Sequence, residues 1–569
     1  MKLFVLLLVC VYAPLSFSMA SAAIVEHTFT VQNKSVIRLC NEQVIVTVNG
    51  QYPGPTINVI DGDTVIVHVV NKSPYNITIH WHGVTQLYSA WADGPEYITQ
   101  CPIIPGKNYT YKFKVTKQEG TLWWHAHANL LRATVHGAFI IHPRSGRFPF
   151  PTPYKQVPII LGDWYEGDVE DILSKELATG DKIPSTGFTI NGLPGDLFNC
   201  SQIQIYELKV KHGETYLLRM VNTALNNNLF FKIAHHNLTV VAMDAAYTEH
   251  YVTDIVILAA GQSADVLFTA DQPRGSYYMA AHPFVIGELE NLIDKTTTNA
   301  IVSYDGYEAS SDSEPLMPLM PLHTDVAIAT KFFTSIRGNV KAPYWIPVPL
   351  EVDEEMFITV NMNMLRCPVN ENCTGPLNQK FSASLNNESF VLPEGRGYSI
   401  LEAFYHNVSG VYTDDFPDYP PNPFNFVNPK IFLDPNVTFA HKSTKVKRFK
   451  YNSTVEIVFQ NTAVLNAQSH PMHIHGYNFH VLAQDFGIYN PILDKAKYNL
   501  VNPQISTTVP VPPGGWAAIR FQANNPGAWF VHCHVDDHNV WGLTTVFLVE
   551  NGPTPSTSLL PPPADLPKC

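Results

Sequence analysis

Basic residues are in short supply in this sequence. The chain has 36 Lys and Arg against 49 Asp and Glu, which gives a formal net charge of −13 at pH 7. Nucleic acids and anionic membrane surfaces attract basic patches, so this balance excludes both as expected partners. Charged residues of either sign make up only 15% of the chain and aromatic residues 12%. This composition excludes a disordered protein and indicates a large, well-packed globular chain.

Long apolar runs are also missing, apart from one at the N-terminus. Lys2 precedes the apolar stretch 3–12, and the small residues 20–22 follow it. This order is typical of a secretory signal, which we place at residues 1–22, because the run is too short for a transmembrane helix. A buried N-terminal helix is the weaker interpretation. We therefore expect a secreted, extracellular protein that does not span a membrane.

Sequons and cysteines both fit export. Asn-x-Ser/Thr occurs at Asn33, Asn71, Asn76, Asn108, Asn199, Asn237, Asn372, Asn387, Asn407, Asn436 and Asn452, and so many sites predict a glycosylated surface. Of eight cysteines, Cys10 leaves with the signal, and Cys533 lies between His532 and His534, which marks it as a candidate metal ligand. The remaining six imply disulfides but permit fifteen connectivities. Only Cys367 and Cys373 are close enough to suggest a local pair.

Long helical periodicity is scarce, which excludes a helical bundle. Short runs such as 44–48 and 64–70 are rich in β-branched residues and are separated by Gly and Pro, which predicts an all-β protein of sandwich or barrel type. An internal repeat indicates three units. Thr64 to Asn71, Thr215 to Asn222 and Thr454 to Asn461 each span a strand-like segment of the same length.

A second repeated feature, a glycine before a strand-like segment, lies further along each unit. Gly120, Gly275 and Gly527 each precede a strand-like segment, five residues before His125, Ala280 and His532. Linker composition then sets the boundaries. We predict a signal peptide at residues 1–22, a first domain at 23–145, a second at 158–308, a linker at 309–330 and a third domain at 331–569.

Histidines in pairs are the abundant feature. With 23 histidines in 569 residues, chance predicts roughly one His-x-His pair. Four are present: His80 and His82, His125 and His127, His473 and His475, and His532 and His534. Residues i and i+2 of a strand share a face, so each pair offers two imidazoles to one metal cluster. Eight histidines can fill two three-histidine sites and one two-histidine site.

Cys533 lies between the last two of these histidines and points to the opposite face of the strand. His470, Cys533 and His538 remain once the pairs are assigned, and this His₂Cys set is the one expected of a blue electron-transfer copper. Where the outer units carry histidine pairs, the second unit has Phe231 and Ile233, then Ala280 and Ala281. We interpret its lone His282 as structural, and we expect the eight-histidine cluster at the interface of the first and third units.

These residues resemble the multicopper oxidases, and specifically the plant laccases, over nearly the whole mature chain. The resemblance is carried by four signatures in order, at residues 80–83, 124–127, 470–476 and 532–543, and by the segments 91–95, 190–192 and 559–569. It implies three cupredoxin-like Greek-key domains, a location in the apoplast or cell wall, and the disulfides Cys40–Cys200, Cys101–Cys569 and Cys367–Cys373.

The resemblance also implies four copper ions per chain. Type 1 ligands would be His470, Cys533 and His538, and type 2 ligands His80 and His473. The two type 3 coppers would be held by His82, His125 and His534, and by His127, His475 and His532. Leu543 resembles the axial residue of the type 1 site, and it cannot ligate, which should raise the reduction potential. Plain core packing is the alternative for Leu543.

The expected activity is one-electron oxidation of phenols, such as diphenols and lignin-type phenolics, coupled to four-electron reduction of O₂ to two H₂O. Cys533, His532 and His534 would carry the electrons between the sites. Asp93 and Asp536 are candidate second-shell or proton-transfer carboxylates, and turn capping is the alternative for each. We interpret Asp537 as a solvated neighbour, Trp123 and Trp124 as core, and His480 as structural.

Three other functions compete with this one. An ascorbate oxidase would be expected to have Met at the position of Leu543, and a metal-ion oxidase would oxidise ferrous ion in preference to a phenol. A structural cupredoxin-like protein without copper would lack ligands, whereas all eleven are present. We expect a monomer that acts on phenolic small molecules and O₂, and the sequence leaves lignin monomers, flavonoids and other phenolics open as the physiological substrate.

Overall fold

A computed structural model describes residues 22–200, 204–285, 292–307, 314–465 and 468–569. All but the last residue of the expected signal peptide lies outside these ranges. Within them, no helix combines the length and the apolar character that a membrane span requires.

Strands dominate the described residues and form three successive units of two sheets each, which confirms the all-β prediction. The strands of the first unit are β1 (Ile24–Arg38), β2 (Asn41–Val48), β3 (Ile57–Ile60), β4 (Thr64–Asn71), β5 (Ile79–His82), β6 (Asn108–Lys114), β7 (Gly120–Ala126) and β8 (His136–His142). Those of the second are β9 (Lys155–Trp164), β10 (Gly187–Ile190), β11 (Glu207–Val210), β12 (Thr215–Asn222), β13 (Asn228–Ile233), β14 (Leu238–Met243), β15 (Ala246–Thr253), β16 (Val256–Leu258), β17 (Ser263–Thr269), β18 (Ser276–Phe284) and β19 (Thr298–Tyr304).

The third unit is the largest. Its strands are β20 (Glu354–Leu365), β21 (Lys380–Leu385), β22 (Glu388–Phe390), β23 (His441–Ser443), β24 (Val446–Phe449), β25 (Ser453–Asn461), β26 (His470–Ile474), β27 (Phe479–Phe486), β28 (Gln504–Ser506), β29 (Thr508–Val511), β30 (Gly515–Ala523), β31 (Gly527–Cys533) and β32 (Thr544–Val549). The α-helices are α1 (Val169–Thr179), α2 (Val326–Ser335), α3 (Ile400–His406), α4 (Pro435–Thr438) and α5 (Asp536–Val540).

The sequence repeat marks the same strand in each unit. Strands β4, β12 and β25 each pair in parallel with the first strand of their unit, and each pairs antiparallel with a later strand. Each ends at a fully buried asparagine, Asn71, Asn222 or Asn461. Each of these amides donates to a backbone carbonyl of the loop that follows. Those of Asn71 and Asn222 also donate to the carbonyls of Ile103 and Leu258 further along the chain, because buried backbone oxygens need partners. Asn71 is therefore a structural residue, and its buried amide is not accessible to a glycan.

Two strands inside their sheets lack the usual alternation of buried and exposed residues. Strand β4 alternates along its length, as expected of a strand with one face towards solvent. Strands β7 and β31, each of which contains the first histidine of a pair, are buried at every position. Their polar side chains must therefore find partners inside the protein.

Helix α2 crosses the boundary predicted at residue 330. Asp325 caps its N-terminus by accepting from the backbone NH of Ile328. Ala329 and Phe332 pack into the core of the second unit. The C-terminal part of the predicted linker is thus a helix docked on the second unit.

Three disulfides join the pairs that the family resemblance implies: Cys40–Cys200, Cys101–Cys569 and Cys367–Cys373. The first links the first and second units, and the second ties the C-terminal residue to the first unit. Cys533 is the free cysteine among the described residues, and it is buried.

Candidate metal centre

Strand pairing aligns the histidines of each unit. In the first unit, β5 and β7 run antiparallel, and His80 lies opposite His125. In the third unit, β26 and β31 run antiparallel, and His473 lies opposite His532. Two flat rows of imidazoles result, one on each unit.

The two rows interleave. The ring of His80 stacks on that of His475 with centroids 3.9 Å apart, and His82 stacks on His473 at the same distance. Both contacts join the first unit to the third. The interface between these units is thus where all four His-x-His pairs meet.

Within this interface the histidines fall into three sets whose nitrogens lie within 4.8 Å of one another. The sets are His80, His82 and His473; His82, His125 and His534; and His127, His475 and His532. The second and third sets have the membership that the family resemblance implies for the type 3 ions. The first contains both expected type 2 ligands.

Backbone carbonyls and one carboxylate hold the outer nitrogens. The Nδ1 atoms of His80, His125, His473 and His532 each lie 2.7–2.9 Å from a carbonyl oxygen. Such a bond fixes the tautomer and leaves Nε2 with a lone pair for a metal. The Nε2 atoms of His80, His125, His127 and His473 are buried without a hydrogen-bond partner among the described residues. Buried imidazole nitrogens that have no hydrogen-bond partner are suitable ligands for copper ions.

Burial also keeps the imidazoles neutral, as metal ligation requires. Desolvation and the neighbouring histidines hold the pKa of each of these residues well below its usual value: His82, His125, His127, His475, His532 and His534. Burial lowers the pKa of His473 to about 3. The site does not need to lose protons near neutral pH before it binds a cation.

A second candidate site lies on the opposite face of β31. The Sγ atom of Cys533 is 3.4 Å from Nδ1 of His538 and 3.7 Å from Nδ1 of His470, and those two nitrogens are 3.2 Å apart. All three residues are buried, and burial raises the pKa of the Cys533 thiol well above its usual value. One soft sulfur donor and two imidazole donors converge at this site, and such a set suits copper.

Leu543 is connected to this second site through the backbone. Its carbonyl accepts from the NH of Cys533, and its NH donates to the carbonyl of His538. The residue is fully buried. These bonds hold Leu543 between two of the three donors.

Asp93 contacts histidines from both rows. Its Oδ2 atom lies 2.8 Å from Nδ1 of His475 and its Oδ1 atom 3.3 Å from Nδ1 of His80. The carboxylate is completely buried, so turn capping at the surface does not account for it. A carboxylate bonded to the outer nitrogen of a ligand orients the ring and raises its basicity.

Asp536 is paired with Arg132, a residue that the sequence analysis did not single out. Nε of Arg132 lies 3.1 Å from Oδ2 of Asp536, and Nη1 lies 2.6 Å from Nδ1 of His534. Burial raises the pKa of Asp536 to about 7, and the charge of Arg132 opposes that rise. The only sequence signal for Arg132 was its position seven residues after His125, because its contacts come from the second and third units.

The expectation that Asp537 is solvated was wrong. Asp537 is only 2% exposed and lies 3.9 Å from Nζ of Lys182, a residue of the second unit. Helix α5 packs its first turn against that unit, where Asp537 NH donates to the side chain of Asn226. Burial accordingly raises the pKa of Asp537.

The second unit has no histidine pair, yet it supports the cluster. The backbone of Gly261 lies against the ring of His534, where a Cβ would come within 2.6 Å of the ring, and its carbonyl accepts from the indole of Trp123. Asp244 accepts from Ser506 and from the NH groups of Thr507 and Thr508. The backbone carbonyl of Thr507 in turn lies 2.7 Å from Nδ1 of His473.

Two histidines stay apart from the cluster, as predicted. His282 lies beside His323, with ring centroids 4.2 Å apart and ring planes tilted by 44°. His480 bonds the carbonyl of Ile346 through Nε2. Both fit a structural role.

Comparison with known proteins identifies the family. Models of multicopper oxidase domains match residues 30–146, 155–307 and 415–553. The chain belongs to the multicopper oxidases. It is therefore a copper protein, and its donor sets fit that metal.

Curated relatives and solved structures confirm the resemblance to laccases. The chain is 53% identical to Laccase-7 of Arabidopsis thaliana and 50% identical to Laccase-24 of Oryza sativa subsp. japonica, each alignment covering 97% of both chains. Among solved structures it resembles the laccase from Botrytis aclada, with 25% identity, a TM-score of 0.72, and coverage of 95% of this chain and 89% of that one. It shares its fold with Fet3p, a multicopper oxidase that functions in iron import, at 22% identity and a TM-score of 0.69, over 92% of this chain and 90% of that one.

Proposed function

We propose that this multicopper oxidase is a laccase that oxidises phenolic small molecules by one electron at a time and reduces O₂ to two H₂O. One observation carries the proposal. The tripeptide His532-Cys533-His534 supplies the thiolate of the His₂Cys set and one histidine to each of two histidine sets. A covalent path therefore joins the two candidate centres.

We assign one type 1 ion to His470, Cys533 and His538, one type 2 ion to His80 and His473, and two type 3 ions to the remaining sets, four copper ions in all. Bound copper would supply the redox chemistry, taking single electrons from phenols and returning four to O₂. Asp93 orients His475 and His80 through their outer nitrogens. The side chain of Leu543 has no donor atom, so a copper ion held by His470, Cys533 and His538 would gain no further ligand from it, which would favour a high potential.

The surroundings of the protein belong to the same proposal. The apolar N-terminal run and the sequons fit a secreted glycoprotein of the apoplast or cell wall. The acidic balance argues against nucleic acid and anionic membrane as partners. We propose that the chain acts as a monomer, because all three units needed for the centre come from one chain.

The test is a comparison of substrates on copper-loaded protein. Oxygen consumption is measured with a panel of phenols, with ascorbate and with ferrous ion. We expect four phenols oxidised per O₂ consumed and no hydrogen peroxide. Faster turnover of ferrous ion or ascorbate than of every phenol would overturn the assignment as a laccase and leave the family unchanged.

A further inference from the structure

A cavity of about 480 Å³ leads from the protein surface to the histidine cluster. His125, His127 and Asp536 line its inner end, where His125 and Asp536 are buried and His127 is partly exposed. Its wall also includes Val391 and Leu177, which are 41% and 47% exposed. The cavity thus joins solvent to the side of the cluster where the expected type 3 ligands lie.

Glu96 lies in the wall of this cavity and has no assigned role. It follows Asp93 by three residues, at the start of a loop that is otherwise mostly buried. Glu96 itself is only partly exposed. The carboxylates of Glu394 and Glu170 raise the pKa of Glu96, and a hydrogen bond from the backbone NH of Asn129 lowers it. None of these groups is a cation.

Each unit contributes charged groups to the surroundings of Glu96. The first unit provides Arg132, His125 and His127, the second provides Glu170 on α1, and the third provides Glu394, Lys442 and Asp536. Arg132 is already paired with Asp536, and Glu170 accepts from the side chain of Asn129. The charged groups that shift the pKa of Glu96 are like charges, which favour its neutral, protonated form.

We propose that Glu96 takes up protons from solvent and delivers them along the cavity to the histidine cluster. The proposal rests on the proposed reduction of O₂ at that cluster. Reduction of one O₂ to two H₂O takes four electrons and four protons. Each phenol that loses an electron also releases a proton, but it does so at the other centre. The protons consumed at the cluster must therefore enter separately.

The step is a simple proton transfer. The O–H bond of the Glu96 carboxylic acid breaks as the proton passes to water in the cavity, and the carboxylate regains a proton from solvent. Burial, together with Glu394 and Glu170, raises the pKa of Glu96 to about 8. The residue is consequently protonated and able to donate at neutral pH, and it loses that ability as the pH rises above about 8.

The first test separates the oxygen step from the phenol step. Copper-loaded enzyme is fully reduced without O₂ and mixed with O₂ in a stopped-flow instrument at a series of pH values. In the wild type we expect reoxidation to slow above about pH 8. Glu96→Gln keeps the volume but cannot donate, so reoxidation at neutral pH should slow at least about tenfold, and the slowing above pH 8 should disappear. Anaerobic bleaching by phenol should not change.

Two further variants control for structure. Glu96→Asp restores an acid and should recover a pH-dependent rate. Glu394→Gln removes a neighbouring negative charge and keeps Glu96, so the pH at which the rate falls should move down without a tenfold loss. Equal pH profiles in wild type and Glu96→Gln would overturn the role of Glu96. A wild type that is not reoxidised by O₂ at all would instead overturn the proposed function.

A spectroscopic measurement tests the proposal without depending on enzyme turnover. Infrared difference spectra of the wild type, recorded across pH 8, should show the C=O stretch of a protonated carboxylic acid disappearing as the pH rises. Glu96→Gln should lack this band. If the wild type shows no carboxylic acid that titrates near that pH, the proposal is wrong whether or not the variant folds.

Discussion

Cys533 shows how burial and metal binding oppose each other at one residue. The thiol is fully buried beside two neutral imidazoles, and burial raises its pKa. A metal ion reverses this preference, because a coordinating thiol gives up its proton. The residue is therefore inert without copper and a strong ligand with it.

The first prediction replaces this ligand. Cys533→Ser should abolish the intense blue colour, since that colour needs charge transfer from sulfur to copper. Phenol oxidation should be lost as well, while the copper of the histidine cluster should remain. Absorption spectra and metal analysis check both. The matched control is His480→Gln, which alters a buried histidine outside the donor sets and should keep colour and copper. A blue, active Cys533→Ser enzyme would contradict the proposed electron path.

The second prediction concerns the axial position. Leu543→Met should lower the reduction potential of the type 1 site, because a thioether donates to the metal and axial ligand identity sets the potential. Folding should persist, since Leu-to-Met exchanges usually cost less than about 1.5 kcal/mol. Redox titration of the blue band measures the effect. The control is Leu548→Met, which alters a fully buried leucine on β32 away from the donors and should leave the potential unchanged. If both variants titrate like the wild type, Leu543 is ordinary core.

Loops and strand ends of the second unit contact the histidine cluster, although that unit contributes no predicted ligand to it. Gly261 has a φ of +89° and lies against His534. Any side chain at this position would be strained and would push on the ring. The backbone at Gly261 therefore positions His534, a predicted ligand that belongs to the third unit.

The third prediction tests that contact. Gly261→Ala should destabilise the fold by about 1–2 kcal/mol through its left-handed backbone and should also displace His534. We expect less copper in the cluster and slower O₂ reduction, with the blue colour retained because His470, Cys533 and His538 are untouched. Gly213→Ala is the control, because Gly213 has nearly the same φ of +86° and open space around it. Equal copper content in the two variants would show that the contact with His534 is unimportant.

At the scale of the whole molecule, copper would bind across the interface between the first and third units. Histidines of the first and third units stack across their interface. Ions bound there bind only the folded assembly, and such ligands stabilise it by mass action.

The fourth prediction follows from this linkage. Metal analysis should find about four copper ions per chain, as expected of the one His₂Cys and three histidine donor sets. Removal of copper by a chelator should lower the melting temperature by about 5 °C or more, and added copper should restore it. Calorimetry with and without copper is the measurement. A melting temperature that does not respond to copper would mean that the cluster contributes nothing to the association of the units.

The sequence by itself determined the parts of this protein that depend on local pattern. Alternating apolar residues and Gly and Pro breaks predicted an all-β fold, because side chains of a strand alternate between its faces. The spacing of His532, Cys533 and His534 likewise predicted donors on both faces of β31. The repeat from Thr to Asn predicted three related units, since each copy ends in an asparagine that holds the next loop.

Only the tertiary structure decided which residues of different units touch. Arg132 meets Asp536 and His534 across about 400 residues of chain, Asp537 is covered by the second unit, and Glu96 lies in a cavity lined by side chains of all three. No local pattern encodes such contacts, because they depend on how whole sheets pack against one another. Burial set by that packing also decides which of these carboxyl groups hold protons near neutral pH.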